Sequence, residues 1–367
     1  MNFLAARSGL YRFFGWRSIM TTKDKYIGTH NGKFHCDEVF GCWMLRQLPE
    51  FKKHVILRTR DPQILATCDI VLDVGGVFDH SKKRYDHHQR EFNETMSTLA
   101  CTFENGKLNA RKSLQYNTKL SSAGLIYAFY GQEVIRQILF VDGQDGVDEE
   151  TIDFYYDRLY KHFVESVDAV DNGIKSHDEP SKYIIPVSLE GLVEDLNPAW
   201  NEDFSPDVQF EKAMKVVGDI FKDKVLYIHK NWMPARKIVE DAVNGRLKVD
   251  EGGRIMVLEE CCPWKQHFFM IEQEQQIGGK IVYAIYPGDK SGNSWRIQSV
   301  PVSENTEFDN RWPLPQEWRG LRDKELADKI GVDTAVFVHA TGFIGGAKTK
   351  EDAIEMAKKS LKLPRLP

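Results

Sequence analysis

Thr29-His30-Asn31-Gly32-Lys33-Phe34-His35-Cys36-Asp37-Glu38-Val39-Phe40-Gly41 packs four metal-capable side chains between a run that reads as strand and one that reads as helix. Lys25 to His30 is short and β-like. From Asp37 onward, apolar residues recur at helical spacing and stop before Pro49. His30, His35, Asp37 and Glu38 therefore fall in a strand-to-helix loop at the carboxyl end of a strand, where open α/β sheets place their ligands. Imidazole mixed with carboxylate suits manganese, zinc or iron better than calcium, which takes oxygen ligands. The loop alone also fits a buried histidine beside a helix that Asp37 caps, so the decision passes to the segments that follow.

His54 to Arg60 reads as a second strand and Pro62 to Thr67 as a short helix. Asp69 to Gly76 (Asp-Ile-Val-Leu-Asp-Val-Gly-Gly) is a buried strand that ends in acid and glycine. Strands alternating with helices at this density predict an α/β fold with a doubly wound, mostly parallel sheet, and put Asp73 on the same edge as the first loop. Asp86-His87-His88 then offers three consecutive candidate ligands, which converge only from a loop. Set beside His30, His35, Asp37 and Asp73, one shared site is the economical reading. Ser121 to Phe140 and the stretch from Asp148 read as helices, the second running into Val167-Asp168-Ala169-Val170-Asp171-Asn172-Gly173. Asp168 and Asp171 share a helical face at a C-terminus, where acids oppose the helix dipole. That placement favours cation binding over ordinary capping polarity.

Residues 174–206 are rich in Pro, Asp, Glu and Asn and read as a crossover. Val208 to Lys230 and Pro234 to Val243 form a helical pair. Arg254 to Leu258, Ile281 to Tyr286, Trp295 to Val300 and Ala335 to Val338 are strand-like, with a closing helix from Asp352 to Leu361. The chain thus divides into residues 1–22, a catalytic domain over 23–175, a linker and helical pair over 176–250, and a smaller α/β substrate domain over 251–367. In that last domain, Gly342-Phe343-Ile344-Gly345-Gly346-Ala347-Lys348 reads as a strand-to-helix turn whose backbone could approach a phosphate. It lacks P-loop spacing, and such glycines are as often steric. Trp264, Trp295, Trp312 and Trp318 read either as base-stacking platforms or as core.

The 367 residues, 42% hydrophobic and 28% charged, have the composition of a globular protein with two domains. A net charge of -5 excludes a broadly basic surface, so any nucleic-acid contact must be local. The six cysteines form no CxxC pair and read as reduced intracellular thiols. No apolar run is long enough to span a membrane. Residues 1–22 hold Arg7, Arg12 and Arg17 with aromatics and no acid, the pattern of a transit peptide to the mitochondrial matrix. A start at Met20 would yield a form for nucleus or cytosol. Nothing in the chain sets an oligomeric state.

From about residue 24 the chain resembles the DHH-type phosphoesterases, and within them the melanocyte proliferating gene family of 3'-5' RNA exonucleases of mitochondrion and nucleus. The motifs that carry this are His30 to Glu38, Val71-Leu72-Asp73-Val74-Gly75, Tyr85-Asp86-His87-His88, Val167 to Gly173 and Gly342 to Lys348. The first motif departs from the superfamily: His35 and Asp37 stand where two aspartates are usual, one residue further on. The resemblance implies His30, His35, Asp37, Asp73, His87 and Asp171 as metal ligands, with Asp168 competing for the last place. It implies His88 at the scissile phosphate and Asp86 orienting His87. Substrate would meet His339, Thr341, Gly345, Gly346 and Lys348 of the C-terminal domain, and Arg84. Two divalent ions, manganese favoured over magnesium or zinc, would activate a water for in-line displacement. The expected function is a metal-dependent 3'-5' exonuclease on RNA or short oligonucleotides. A small-molecule phosphoesterase or pyrophosphatase is the alternative, and a non-enzymatic protein with a degenerate site stands behind both.

Overall fold

The computed structural model describes residues 24–102, 115–179, 182–183, 185, 187–201, 204–304, 306 and 309–364; the segment read as a transit peptide, with Met20, lies outside the described residues. The chain forms two compact units, Met1–Val225 and Leu226–Pro367. Each carries one five-stranded mixed sheet with helices, an α/β architecture in both. Among the described residues no helix is long and apolar enough to cross a membrane.

In the first unit, β1 (Tyr26–Thr29), α1 (Cys36–Gln47), β2 (Val55–Arg58), α2 (Pro62–Leu65) and β3 (Ile70–Leu72) follow the expected alternation. β4 (Phe78–Asp79) and β5 (Arg84–Tyr85) are two-residue strands too short to show a period in sequence. The sheet order is β2-β1-β3-β5-β4, parallel throughout except that β4 runs antiparallel to β5 at the edge. Its strands are apolar on both faces at the centre, with Ile70, Val71 and Leu72 all buried. After α3 (Met96–Thr102) come α4 (Ser122–Val141), α5 (Glu149–Leu159) and α6 (Glu165–Asp171), the last two joined by a π-helical turn over residues 160–164. The stretch read as a bare crossover contains a helix, α7 (Leu189–Glu194), and α8 (Pro206–Tyr227) follows. Phe40, Trp43, Phe163 and Phe221 interlock beneath α1 with ring centroids 5.0–6.2 Å apart.

One local expectation is corrected. The helix that follows the first loop begins at Cys36 and is capped by His35, not by Asp37. Glu38, three residues on, reaches back to accept the His35 backbone N–H at 3.0 Å, the carboxylate half of a capping box. This draws both acids of the first turn into the protein instead of leaving them on its surface.

In the second unit, α9 (Met233–Val249), β6 (Ile255–Val257), α10 (Trp264–Glu274), β7 (Tyr283–Pro287), β8 (Trp295–Ser299), α11 (Asp323–Ile330), β9 (Ala335–Val338), β10 (Ile344–Ala347) and α12 (Lys350–Lys362) build a sheet ordered β6-β7-β8-β10-β9. Only the β6–β7 pair is parallel. The glycine stretch is not a strand-to-helix turn: residues 339–343 close an antiparallel hairpin, and Gly345 and Gly346 sit inside β10. A Cβ at Gly345 would come within 2.9 Å of the Phe337 carbonyl oxygen, so close strand approach accounts for this glycine. Trp264 and Trp318 are buried in the unit's two apolar cores, and Trp295 and Trp312 pack partly buried against one of them.

Candidate metal centre

Four chain segments end at the same edge of the first sheet. β1 delivers His30, β3 delivers Asp73, β5 delivers Asp86, His87 and His88, and the last turn of α6 delivers Asp171. Asp73 takes a left-handed backbone conformation, φ 59°. That is uncommon for a residue other than glycine and clusters at functional sites. Its N–H donates to the Tyr85 carbonyl at 3.1 Å, and Ser122 Oγ, in the first turn of α4, donates to its Oδ1 at 3.1 Å.

His30 Nε2 stands 3.0 Å from Glu38 Oε1 and 3.2 Å from Asp73 Oδ2. Its Nδ1 lies 3.1 Å from the Asn31 carbonyl; a carbonyl only accepts, so Nδ1 carries a hydrogen and Nε2 is the nitrogen turned to the cluster. His87 Nε2 is 3.1 Å from Asp171 Oδ2 and 3.4 Å from Asp73 Oδ1. Both oxygens of Asp37 are buried with no hydrogen-bond partner among the described residues. Four overlapping groups have ligand atoms within 4.8 Å of one another: His30, His35 and Glu38; Asp37, Glu38 and Asp73; Asp37, His87 and Asp171; and Asp73, His87 and His88. Asp37, Glu38, Asp73 and His87 each belong to two groups, and of these the three carboxylates have two oxygens with which to bridge neighbouring cations.

The electrostatics describe a site built for positive charge. Burial opposes charging of His30, yet the Asp73 and Glu38 carboxylates outweigh it and push its pKa up to about 10. For His87, burial is outweighed by Asp171 and Asp73, which bring it up to about 9. Burial would raise Asp73, but the two imidazoles hold it well below the usual carboxylate range. For Asp37, burial first, then Asp73, Asp171 and Glu38, push it well above its ordinary value. Clustered buried carboxylates, one of them Asp37 with both oxygens orphaned, are costly unless paired or ligated, and this donor set of oxygen and imidazole fits a divalent metal.

Beside the cluster, Asp86 Oδ2 accepts the Gly76 N–H at 2.6 Å, and its Oδ1 accepts the His88 N–H at 3.1 Å. Asp86 Oδ1 also holds His88 Nδ1 at 2.7 Å, so the histidine that it orients is His88 and not the expected His87, whose Nε2 faces Asp73 and Asp171. The His88 side chain is 63% exposed, so its other nitrogen is open to the cleft. The bond to Asp86 raises the pKa of His88 above its ordinary value; burial would raise Asp86, but its bonds from His88 and Gly76 hold it low. A cleft of ≈ 510 Å³ opens over His30, His35, Asp37, Asp73, Asp86, His88 and Asp171, with Arg60, Glu190 and Glu194 also in its walls.

Other predicted residues stand elsewhere. Asp168 is fully buried; its Oδ1 takes the Ser121 N–H (2.9 Å) and hydroxyl (2.7 Å), and its Oδ2 takes the Tyr160 hydroxyl (2.9 Å). Burial brings its pKa up to about 7 against the pull of those donors. It lies so close to α4 that a Cβ at Gly124 would be 2.2 Å from Oδ1. Asp168 thus anchors the helix that presents Ser122, while Asp171 alone of the pair joins the cluster. Arg84 donates to the backbone carbonyls of Lys82, Lys83 and Cys68. His339, Thr341, Gly345, Gly346 and Lys348 all lie in the second unit, where His339 Nδ1 accepts the Thr341 N–H at 3.2 Å. Glu38 and Ser122 are the members that sequence reasoning left out of the site. Glu38 carried a signal, its place three residues after His35 in a capping pattern; Ser122 carried none.

The family model MYG1_exonuc, described as "Uncharacterised protein family (UPF0160)", matches residues 26–361. A Caenorhabditis elegans protein named "MYG1 protein C27H6.8" is 49% identical over 92% of this chain and 95% of its own length. A Bos taurus protein named "MYG1 exonuclease" is 45% identical over 91% of this chain and 84% of its own. For "MYG1 protein YER156C" of Saccharomyces cerevisiae the figures are 41%, 92% and 96%. No solved structure matches the chain. The chain belongs to the MYG1 family.

Proposed function

Taking that membership as the premise, we propose that this protein is a metal-dependent nuclease that shortens RNA from the 3' end. The observation that carries the reading is the buried cluster around Asp73, with the orphaned carboxylate of Asp37 inside it. Relatives named "MYG1 exonuclease" support nucleic acid as the substrate class. The 3'-5' polarity and the choice of RNA rest on the family resemblance of the motifs. The strand-end acids of a mostly parallel sheet are in keeping with a DHH-type catalytic domain, and the Arg-rich, acid-free N-terminus supports delivery to mitochondria, with a Met20 form elsewhere.

His30, Asp37, Glu38, Asp73, His87 and Asp171 would hold the divalent metal, with His35 and His88 at its exposed side. When bound, such ions, manganese first among them, lower the pKa of water and stabilise charge on a phosphodiester under attack. The chain's own residues do the rest. Asp86 fixes the His88 ring through Nδ1, so the imidazolium presents Nε2–H to the cleft, where it donates to the departing 3'-oxygen. Ser122 and the left-handed turn at Asp73 hold that carboxylate at the centre of the cluster. A small phosphodiester or pyrophosphate is the second reading, favoured by the acid-rich walls of a cleft of limited volume.

The test is hydrolysis of end-labelled single-stranded RNA with added manganese, beside a His87→Ala, His88→Ala variant. Stepwise shortening from the 3' end that chelator and variant both abolish is the expected result. Intact RNA with hydrolysis of small phosphodiesters would favour the second reading, and no hydrolysis by a folded, metal-loaded protein would leave a binding role.

A further inference from the structure

Resting on the nuclease reading, we propose that Arg60 holds a phosphate of the nucleic-acid substrate at the rim of the metal cleft. The cleft walls carry Asp37, Asp73, Asp86, Asp171, Glu190 and Glu194, a lining that repels a polyanion wherever metal does not neutralise it. Among the described residues Arg60 is the only Lys or Arg in those walls. It is exposed, and its side chain makes no hydrogen bond or ion pair among the described residues. The neighbouring cations are committed. Arg58 donates to the Gly32 carbonyl at 2.7 Å and pairs with Asp207 at 3.2 Å, Lys33 pairs with Glu194 at 2.5 Å, and Arg84 is spent on backbone carbonyls.

The backbone at Arg60 is fixed, although the side chain is free. Thr59 N–H donates to the Thr29 carbonyl at 2.7 Å, which ties the loop after β2 to the strand end that carries His30. Asp61 N–H donates to Thr59 Oγ1 at 3.1 Å, and Asp61 caps α2 through Gln63 N–H at 2.8 Å. A guanidinium on such a loop costs little to orient and matches two oxygens of one phosphate. The sequence run Arg-Thr-Arg-Asp over 58–61 thereby divides its labour: Arg58 braces the metal loop from outside and Arg60 faces the substrate.

The experiment compares wild type, Arg60→Gln and Arg60→Lys on a single-stranded oligoribonucleotide and on a small phosphodiester, over a range of salt. Loss of one charged contact predicts that Arg60→Gln raises KM for the oligonucleotide about tenfold, with kcat within about twofold. The slope of log kcat/KM against log salt should become shallower by about 0.7, the release expected for one phosphate on a single strand. Arg60→Lys keeps the slope, and the melting temperature holds in both variants. Unchanged KM and slope in Arg60→Gln overturn the proposal, as does a loss confined to kcat or a fall in melting temperature in both variants. Wild type that leaves the oligonucleotide intact while cleaving the small ester sinks the nuclease reading, and this proposal with it.

Discussion

The loop that holds His30 and the hairpin that holds Gly345 look alike in sequence, each a polar, glycine-bearing break between regular elements, but they differ in what the fold leaves unfinished. Around His30 side chains are left unsatisfied: Asp37 keeps two buried oxygens without partners, and imidazoles stand against carboxylates at 3.0–3.4 Å. Around Gly345 the opposite holds. The strand pairs on both edges, and the missing side chain is explained by the Phe337 carbonyl 2.9 Å from where a Cβ would be. Unpaid electrostatic cost marks the first region as a ligand site; satisfied packing gives the second a reason to exist without a ligand.

The sharpest way to break this contrast is Asp73→Asn. It removes charge from a carboxylate that is shared by two ligand groups and stands against both buried imidazoles, and leaves its size. Nuclease activity should fall by more than the roughly 10–100-fold that loss of an outer-shell partner costs. Wild-type melting temperature should rise on adding manganese, since a ligand at a hundred times its Kd stabilises by about 2.7 kcal/mol, and the variant should lose that rise in calorimetry. A variant that still binds metal and cleaves RNA would remove Asp73 from the centre. Next in size is Asp86→Asn, which keeps a partner for His88 but drops the charge; a loss of about 10–100-fold in kcat at unchanged metal affinity is expected. Loss of metal binding instead would make Asp86 a ligand.

On the hairpin side, Gly345→Ala forces the new methyl against backbone and should cost about 1–3 kcal/mol in urea unfolding, with KM unchanged in the protein that remains folded. A raised KM at unaltered stability would return this hairpin to the substrate, as the motif resemblance first implied.

How far the chain could be read without coordinates follows the same division. The strand, helix and strand around residues 26–72 were legible because β-branched and apolar runs alternate with turn residues, and the candidate ligands were legible because His30 and Asp73 follow strand runs, Asp37 opens a helix, His87 stands in an Asp-His-His run and Asp171 ends a helix. Three things were not. β4 and β5 are two residues each, below the length at which alternation can be seen. Asp168 and Asp171 share a helical face, and only the packing of α4 against α6 turns one to Ser121 and the other to His87. The glycines of β10 looked like a phosphate turn because sequence shows a missing side chain but not the strand that occupies its place.

The smallest effect is the most specific to the cluster's rim. His88 and Asp86 shift in opposite directions, His88 up because Asp86 accepts from it and Asp86 down because His88 and Gly76 donate to it. A histidine raised in the folded state contributes stability that is fully present below its unfolded value of about 6.5 and is lost as pH rises through the folded value. A depressed carboxylate contributes above its unfolded value of about 3.9 and loses that contribution as pH falls through its folded value. Their overlap runs from about pH 4 to pH 6.5, so the metal-free protein should exceed His88→Gln in urea stability most within that window. With the His88 side chain 63% exposed, screening keeps the difference under about 1 kcal/mol. It should shrink toward alkaline pH as the imidazolium loses its proton, and toward acid as Asp86 gains one. A difference independent of pH would mean that packing, not the ion pair, holds His88 in place, and that its orientation toward the cleft does not depend on Asp86.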